Sequence, residues 1–399
     1  MAKACPTPQP LRMVIGTLIF VTLLFVMTFL GRFIFPPLFP AMSDDIHLGS
    51  GQAGSLFLLA AIAAWVGSLA AGFVSSRVNH RGALLISVFG FAAALVGAYF
   101  ANSVWVLRAV FIVLGLCFGL HLPSSVATIT AMVRREDWGR ALSIQQLGPP
   151  TGLVAAPLIV VAILHWFSWN TVLISVAVLT AVLGLAFWLS TGGVGAFPGD
   201  PPSPSMVKPV VTTRSFWVMI LVFALGMGAQ VGVYTMLPLY LTTERDMASS
   251  AANTLLGLAN VAPLVTTFFS GWVTSRIGEK RAIAIFMFLT GVVTVLVGVL
   301  SGVGLTVCVV LMAALAVCIF PPAFAALSRI VQPTYRSLAT AFGPPTAFVF
   351  GGGLLPTGLG YLGQAASFSL GIIITGAVIA VGSCAAFLLR LLTDLEEGC

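Results

Sequence analysis

The sequence predicts an all-α membrane protein with 12 transmembrane helices in two pseudo-symmetric six-helix bundles. Three observations predict it: charged residues are scarce, long apolar runs recur along the chain, and the two halves repeat each other. Of the 399 residues, 59% are hydrophobic and 7% charged, whereas a soluble domain carries about 25% charged residues because its surface faces water. Most of this chain's surface therefore faces something apolar, which excludes a soluble globular protein. The 41 glycines agree, since small residues let membrane helices approach closely.

A membrane-spanning helix needs about 20 apolar residues. Runs of that kind lie at 12–40, 50–75, 82–101, 104–132, 139–164 and 168–190, spans one to six. Spans seven to twelve follow at 215–242, 252–275, 281–301, 303–329, 336–363 and 366–390. Between the two sets the chain is rich in Gly, Pro and Ser, a composition that cannot build a core and reads as a linker. The expected organisation is an N-terminal bundle at 1–190, a cytoplasmic linker at 191–214 and a C-terminal bundle at 215–399. The first apolar run is far longer than a signal-peptide core and reads as span one.

Placing the N-terminus in the cytoplasm puts all 18 Lys and Arg except Arg32, Arg108 and Arg245 on the cytoplasmic side. That asymmetry is the positive-inside signature, so both termini are expected in the cytoplasm. The net charge of +7 then reflects topology, and no nucleic-acid partner is expected. The six cysteines, Cys5, Cys117, Cys308, Cys318, Cys384 and Cys399, lack metal-ligand spacing and read chiefly as small packing residues. Cys5 is not a lipoprotein site, and Cys399 is not placed for prenylation.

The repeat is the most specific signal. Gly72-Phe-Val-Ser-Ser-Arg77-Val-Asn-His-Arg81 follows span two, and Gly271-Trp-Val-Thr-Ser-Arg276-Ile-Gly-Glu-Lys-Arg281 follows span eight. Downstream of Arg140 stands Gly148-Pro149-Pro150-Thr151, and downstream of Arg336 stands Gly343-Pro344-Pro345-Thr346. Two motif pairs at nearly equal offsets make the halves parallel repeats. The loop after span two resembles the Gly-x-x-x-Asp-Arg-x-Gly-Arg-Arg hallmark of the major facilitator superfamily. Ser76 and Ser275 stand where that family has aspartate, and Asn79 replaces a glycine that Gly278 keeps.

The resemblance implies two rocking bundles whose cytoplasmic ends are latched by these loops, with Gly72, Arg77, Arg81, Gly271, Arg276 and Arg281 as gating residues. Losing the carboxylate weakens one charge interaction of that latch. Gly148-Pro149-Pro150-Thr151-Gly152 resembles the family's fifth-helix Gly-Pro-x-x-Gly motif, found mainly in drug-exporting antiporters. From the residues alone, proline in a helix removes a hydrogen bond and permits a kink. Matched bends are therefore expected at Gly148 and Pro149 in span five and at Gly343 and Pro344 in span eleven. Gly351-Gly352-Gly353 is expected to let span eleven pack tightly.

All eleven acidic residues fall in loops, at helix ends or in the C-terminal tail. A buried carboxylate relay, and recognition of cations by a buried acid, are not expected. Arg32 lies inside span one, where an arginine costs at least about 2.5–3.5 kcal/mol. It reads either as an anion-binding group or as a side chain snorkelling to the interface. Arg32, then Pro40 and Leu48-x-x-Gly51-Gln52-x-Gly54, resembles the first-helix pattern of the anion:cation symporter branch and its organophosphate relatives, whose first-helix arginine contacts an anionic substrate. No second cavity arginine is found in span seven or eight.

Arg108, one turn into span four, resembles the family's fourth-helix arginine, sometimes linked to proton transfer; an interfacial anchor is the alternative. His121, at mid-depth in span four, reads as an anion or proton site, or as a histidine hydrogen-bonded to a neighbouring helix. Gln145 and Gln146 in span five, Gln230 and Tyr234 in span seven and Asn260 in span eight are further polar candidates, each needing partners in a low dielectric. Gln230 and Tyr234 are four apart and share a helix face.

These readings converge on a secondary transporter that moves a small solute, an organic or inorganic anion, by alternating access. A multidrug or metabolite efflux antiporter of the same fold is the alternative. No nucleophile–base constellation, metal cluster or phosphate loop marks an enzyme, and no cofactor is expected. The expected partners are the solute, the lipid bilayer and protons carried through His121. The expected location is the bacterial inner membrane, and the resemblance implies a monomer.

Overall fold

The computed structural model describes residues 9–199, 209–332 and 336–390 and is helical nearly throughout. Among these residues the β content is an isolated bridge between Gln9 and Val133. This is what lipid requires, because a helix satisfies its own backbone groups where no water can. Lys3, Lys208, Cys5, Cys399, Asp200, Asp394, Glu396 and Glu397, and linker positions 200–208, lie outside the described residues.

Ten helical stretches are long and apolar enough to cross a bilayer. One, Ser50–Tyr99, runs for 50 residues, or about 75 Å at the helical rise, more than twice the hydrocarbon thickness of about 30 Å. It breaks at Asn79, where φ is 63° and ψ 171°, and so supplies spans two and three. A pair of helices bent by 41°, Ser249–Thr267 and Phe269–Ile277, supplies span eight. With those two adjustments the described residues hold twelve spans.

The break at Asn79 has a counterpart. Gly278 has φ 81° and ψ 161°, and it separates Ala262–Ile277 from Glu279–Val299. The two positions are one repeat apart and share a backbone conformation that only glycine adopts readily. Asn79 is held there partly because its Oδ1 accepts from Gly82 N at 2.8 Å, capping span three.

The chain divides into two compact units. The first comprises Met1–Met42 with Leu59–Pro202, and the second Ser43–Leu58 with Ser203–Cys399. In the first unit, spans two and four meet through small residues. A Cβ built on Gly115 would lie 2.3 Å from Ala60 O, and one on Gly119 2.1 Å from Ala64 O. In the second unit, spans nine and twelve do the same, with Gly291 2.4 Å from Ala380 N and Gly376 2.6 Å from Val295 N, measured from built Cβ positions. Such contacts replace the hydrophobic driving force that is missing between helices in lipid. Exposed Trp105, Trp166, Trp188, Trp217 and Trp272 stand near span ends, as amphipathic rings do at membrane interfaces.

The linker does not begin as free chain. His80 N donates to Phe197 O at 3.1 Å, Arg81 N to Gly195 O at 2.8 Å and Gly199 N to Ser75 O at 3.1 Å. Residues 191–199 thus form a strap along the loop between spans two and three. In the second unit a charged cap closes another end. Glu244 accepts from Phe368 N, from Ser369 N at 2.9 Å and from Ser369 Oγ at 2.7 Å, a favourable site for a carboxylate at a helix N-terminus. Arg245 donates to Tyr240 OH at 2.8 Å and to Gly298 O at 2.9 Å.

The expected matched bends are not matched. Span five breaks at Gln146–Leu147, between Trp138–Gln145 and Gly148–Leu164. In span eleven, Gly343 and Pro344 lie inside the continuous helix Arg336–Phe348, and the irregularity follows as a π-helical segment, Val349–Leu354. The glycine triplet, which offers no Cβ to obstruct the wider turn, accounts for its position.

Candidate functional site

Each unit contributes polar groups of a different kind. In the first unit the Arg32 side chain is only 2% exposed, so it does not snorkel. Its guanidinium carbon lies 5.2 Å from the centre of the Phe118 ring, and such a contact is worth about 2 kcal/mol or more when desolvated. Phe118 meets Phe29 edge-on at 5.0 Å, and Phe29 in turn contacts Phe25 at 5.0 Å and Phe33 at 6.0 Å. Arg32 thus stands at one end of a row of aromatic rings.

His121 stands at the other end. Its ring stacks on Phe25 with centroids 5.6 Å apart and planes within 3°, and its Nδ1 is hydrogen-bonded to Ser87 Oγ of span three at 3.1 Å. The structure therefore buries His121 among spans one, three and four of its own unit, with the aromatic row between it and Arg32. Gln145 donates to Ser125 Oγ of span four at 2.5 Å, tying two helices together, while Gln146 is exposed. Arg108 lies 4.4 Å from the centre of the Trp105 ring, and Trp105 is 74% exposed. Arg108 and His121 are 13 residues apart on one helix, which is about 20 Å along its axis. That distance fits the anchor better than a shared proton path.

In the second unit three of the candidates come together. Gln230, Tyr234 and Asn260 line one small cleft of about 10 Å³, together with Val309 and Met312 of span ten. No Asp, Glu, Lys or Arg lines it. Gln230 sits in a π-helical turn, Gly228–Val233, the kind of irregularity that re-aims side chains at functional sites. Asn260 Nδ2 donates to Leu256 O at 2.8 Å. The cleft is therefore neutral and hydrogen-bonding, whereas Arg32 is a cation set against aromatic rings.

Of the gating candidates, Arg77, Arg276 and Arg281 are exposed and Gly72 is partly buried. Gly271 has open space where a Cβ would go. Arg81 donates to Trp188 O at 2.6 Å, and Arg276 lies 5.5 Å from the Trp272 ring. Gly148 and Gly152 press on span one: built Cβ atoms would lie 2.7 Å from Phe25 Cδ1 and 2.8 Å from Phe29 Cβ. Sequence reasoning missed Phe118, Phe25 and Met312. The four-residue spacing shared by Gly148/Gly152 and Phe25/Phe29 was the signal available for Phe25.

Comparison with known proteins agrees with this architecture. A family model described as Major Facilitator Superfamily matches residues 21–259 and 235–398. The chain is 26% identical over 256 residues to the multidrug resistance protein MdtG of Proteus mirabilis, covering 60% of each chain. It is 24% identical over 274 residues to a gentisate transporter of Corynebacterium glutamicum, covering 64% of this chain and 60% of that one. The chain thus matches about 60% of the length of both these relatives. A D-galactonate transporter of Escherichia coli aligns at 20% over 390 residues, covering 87% of this chain and 89% of the other.

Among solved structures, a bacterial homologue of the human lysosomal transporter Spinster, inward-facing and unoccupied, superposes with a TM-score of 0.81 at 14% identity over 93% of this chain and 96% of that one. That likeness speaks to the fold alone. With the family model covering both repeated halves, this chain belongs to the Major Facilitator Superfamily and is a multi-pass membrane protein.

Proposed function

We propose that the protein is a secondary carrier of a small organic anion, with Arg32 as the group that meets its negative charge. The observation that carries the reading is the burial of Arg32 against Phe118. A guanidinium kept away from the interface at a cost of about 2.5–3.5 kcal/mol has the planar fork of N–H donors that matches a carboxylate. Relatives that carry gentisate and D-galactonate support it. Gln230, Tyr234 and Asn260 offer neutral hydrogen-bonding groups in the second unit, suited to a hydroxylated solute. His121 is the group available for proton coupling, and a relative described as an arabinose–proton symporter shows the kind of coupling meant. The bacterial relatives and the distribution of basic residues support an inner-membrane location with both termini in the cytoplasm.

The test is thermal stability of the detergent-purified protein with gentisate, benzoate, D-galactonate, phosphate or tetraphenylphosphonium, alongside Arg32→Ala. A ligand at 100 times its Kd stabilises by about 2.7 kcal/mol. Stabilisation by an organic anion that disappears in Arg32→Ala is the expected result. The second reading, efflux of lipophilic compounds, is favoured by the multidrug relative and the aromatic row. It takes over if only the lipophilic cation stabilises and Arg32→Ala responds like the parent.

A further inference from the structure

We infer that Gly148 and Gly152 of span five, with Gly31 of span one, are positioning residues that set the placement of Arg32. The inference rests on the anion-carrier reading above and gives the Gly-Pro-Pro-Thr-Gly run a task other than bending span five.

The contacts carry it. At Gly152 a Cβ would fall 2.8 Å from Phe29 Cβ, 3.0 Å from Leu30 N and 3.2 Å from Phe29 C. Two of those atoms are backbone, so no side-chain rotation relieves the clash; the chain two residues before Arg32 has to move. At Gly148 a Cβ would fall 2.7 Å from Phe25 Cδ1 and 3.3 Å from Phe25 Cγ, so the ring has to move. On another side of span one, a Cβ on Gly31 would fall 2.5 Å from Phe91 Cε1 of span three. The stretch Phe29–Arg32 is thus pressed between spans five and three, and both contacts depend on a missing Cβ.

The rings then pass the placement on. Phe29 packs edge-on against Phe118 at 5.0 Å, and Phe118 is the ring that faces the Arg32 guanidinium at 5.2 Å. Displacing Phe29 therefore disturbs Arg32 twice, through the backbone and through its aromatic neighbour. Interiors close-packed in this way transmit small displacements without absorbing them.

The experiment is uptake of gentisate and D-galactonate into proteoliposomes by the full chain. It compares the parent with Gly148→Ala, Gly152→Ala, Gly148→Ala/Phe25→Leu, Arg32→Ala and the control Gly16→Ala, which lies in span one with nothing within 4 Å of its Cβ position. Misplacement of a binding group by about 1 Å costs up to about a hundred-fold. We expect Gly148→Ala and Gly152→Ala to raise KM about ten- to a hundred-fold, with maximal rate changed far less. Phe25→Leu should restore KM in Gly148→Ala, and Gly16→Ala should match the parent. Should Gly152→Ala fail to fold, Gly148→Ala and its rescue decide the matter. Unchanged KM in the glycine variants while Arg32→Ala loses uptake overturns the positioning role and leaves the anion reading standing; so does a raised KM that Phe25→Leu fails to reverse. Parent-like KM in Arg32→Ala overturns both.

Discussion

Spans five and eleven carry the same Gly-Pro-Pro-Thr run, and their surroundings differ. In span five, Gly148 stands against Phe25 and Gly152 against Phe29 with no room for a Cβ. In span eleven, Gly343 faces Phe216 at 3.5 Å and Leu327 at 3.7 Å, which is ordinary contact, and the position matching Gly152 is Ala347. The irregularity also moves, from a break just before the run in span five to a π-helical segment just after it in span eleven. An inherited repeat keeps its proline chemistry in both halves, but close packing is rebuilt in each half by the residues that face it.

The largest effect should come from breaking that difference directly. Gly152→Ala overpacks a backbone contact, which costs about 1–3 kcal/mol, and its melting temperature should fall accordingly. Gly343→Ala adds a Cβ at ordinary contact distance inside a helix, where alanine gains about 0.5–1 kcal/mol over glycine, so its stability should match or exceed the parent's. Equal losses in the two variants would mean that span eleven packs as tightly as span five.

A smaller difference separates the two signature loops. Asn79 and Gly278 share a left-handed backbone with ψ near 170° and 161°, but Asn79 adds the cap to Gly82 N. Asn79→Ala loses that cap, at about 1 kcal/mol, while keeping a side chain in a strained conformation. Gly278→Ala introduces the strain, at about 1–3 kcal/mol, and loses no cap. Asn79→Gly trades cap against strain and should move unfolding by only a few tenths of a kcal/mol. Thermal melts of the three variants check this order.

Most of the fold was legible in the sequence for one physical reason: lipid admits few alternatives to a helix of about 20 apolar residues. Orientations of side chains were far less legible. Span four is apolar nearly all round, so nothing in its pattern says which face turns inward; hence His121 read either as a solute or proton group or as a histidine hydrogen-bonded to a neighbouring helix, and its Nδ1 does meet Ser87 of span three. Gln230 and Tyr234 were paired correctly because residues four apart share a face, and that survived the π-turn between them. The strap at 191–199 left no trace in composition, because its hydrogen bonds to Ser75, His80 and Arg81 are backbone to backbone and any sequence can make them.

Comparing charge with neutrality gives a third, smaller effect. If Arg32 meets the anion, Gln230→Ala removes only a neutral hydrogen bond, worth about 0.5–1.5 kcal/mol. Its affinity for hydroxylated anions should fall roughly three- to ten-fold, with benzoate nearly unaffected. A loss equal to that of Arg32→Ala would move the charge-recognising site towards the cleft.

The smallest effect distinguishes how the two loops are fastened. Glu279 lies one repeat after His80. Glu279 is fixed by an ion pair to Arg329 at 2.9 Å, with side chains 21% and 35% exposed, whereas His80 is fixed by its backbone donation to Phe197 O at 3.1 Å and by ring contact at 4.8 Å. A half-exposed pair is worth under about 1 kcal/mol, and its attraction is screened at 1 M salt, where the Debye length is about 3 Å. Glu279→Gln should therefore lower the melting temperature slightly in dilute buffer and by less at high salt. His80→Ala keeps the backbone bond and loses only ring packing, so its small cost should not change with salt. The salt response of the two melts, measured side by side, tests whether one loop is held by charge and the other by backbone; matching responses would remove the distinction.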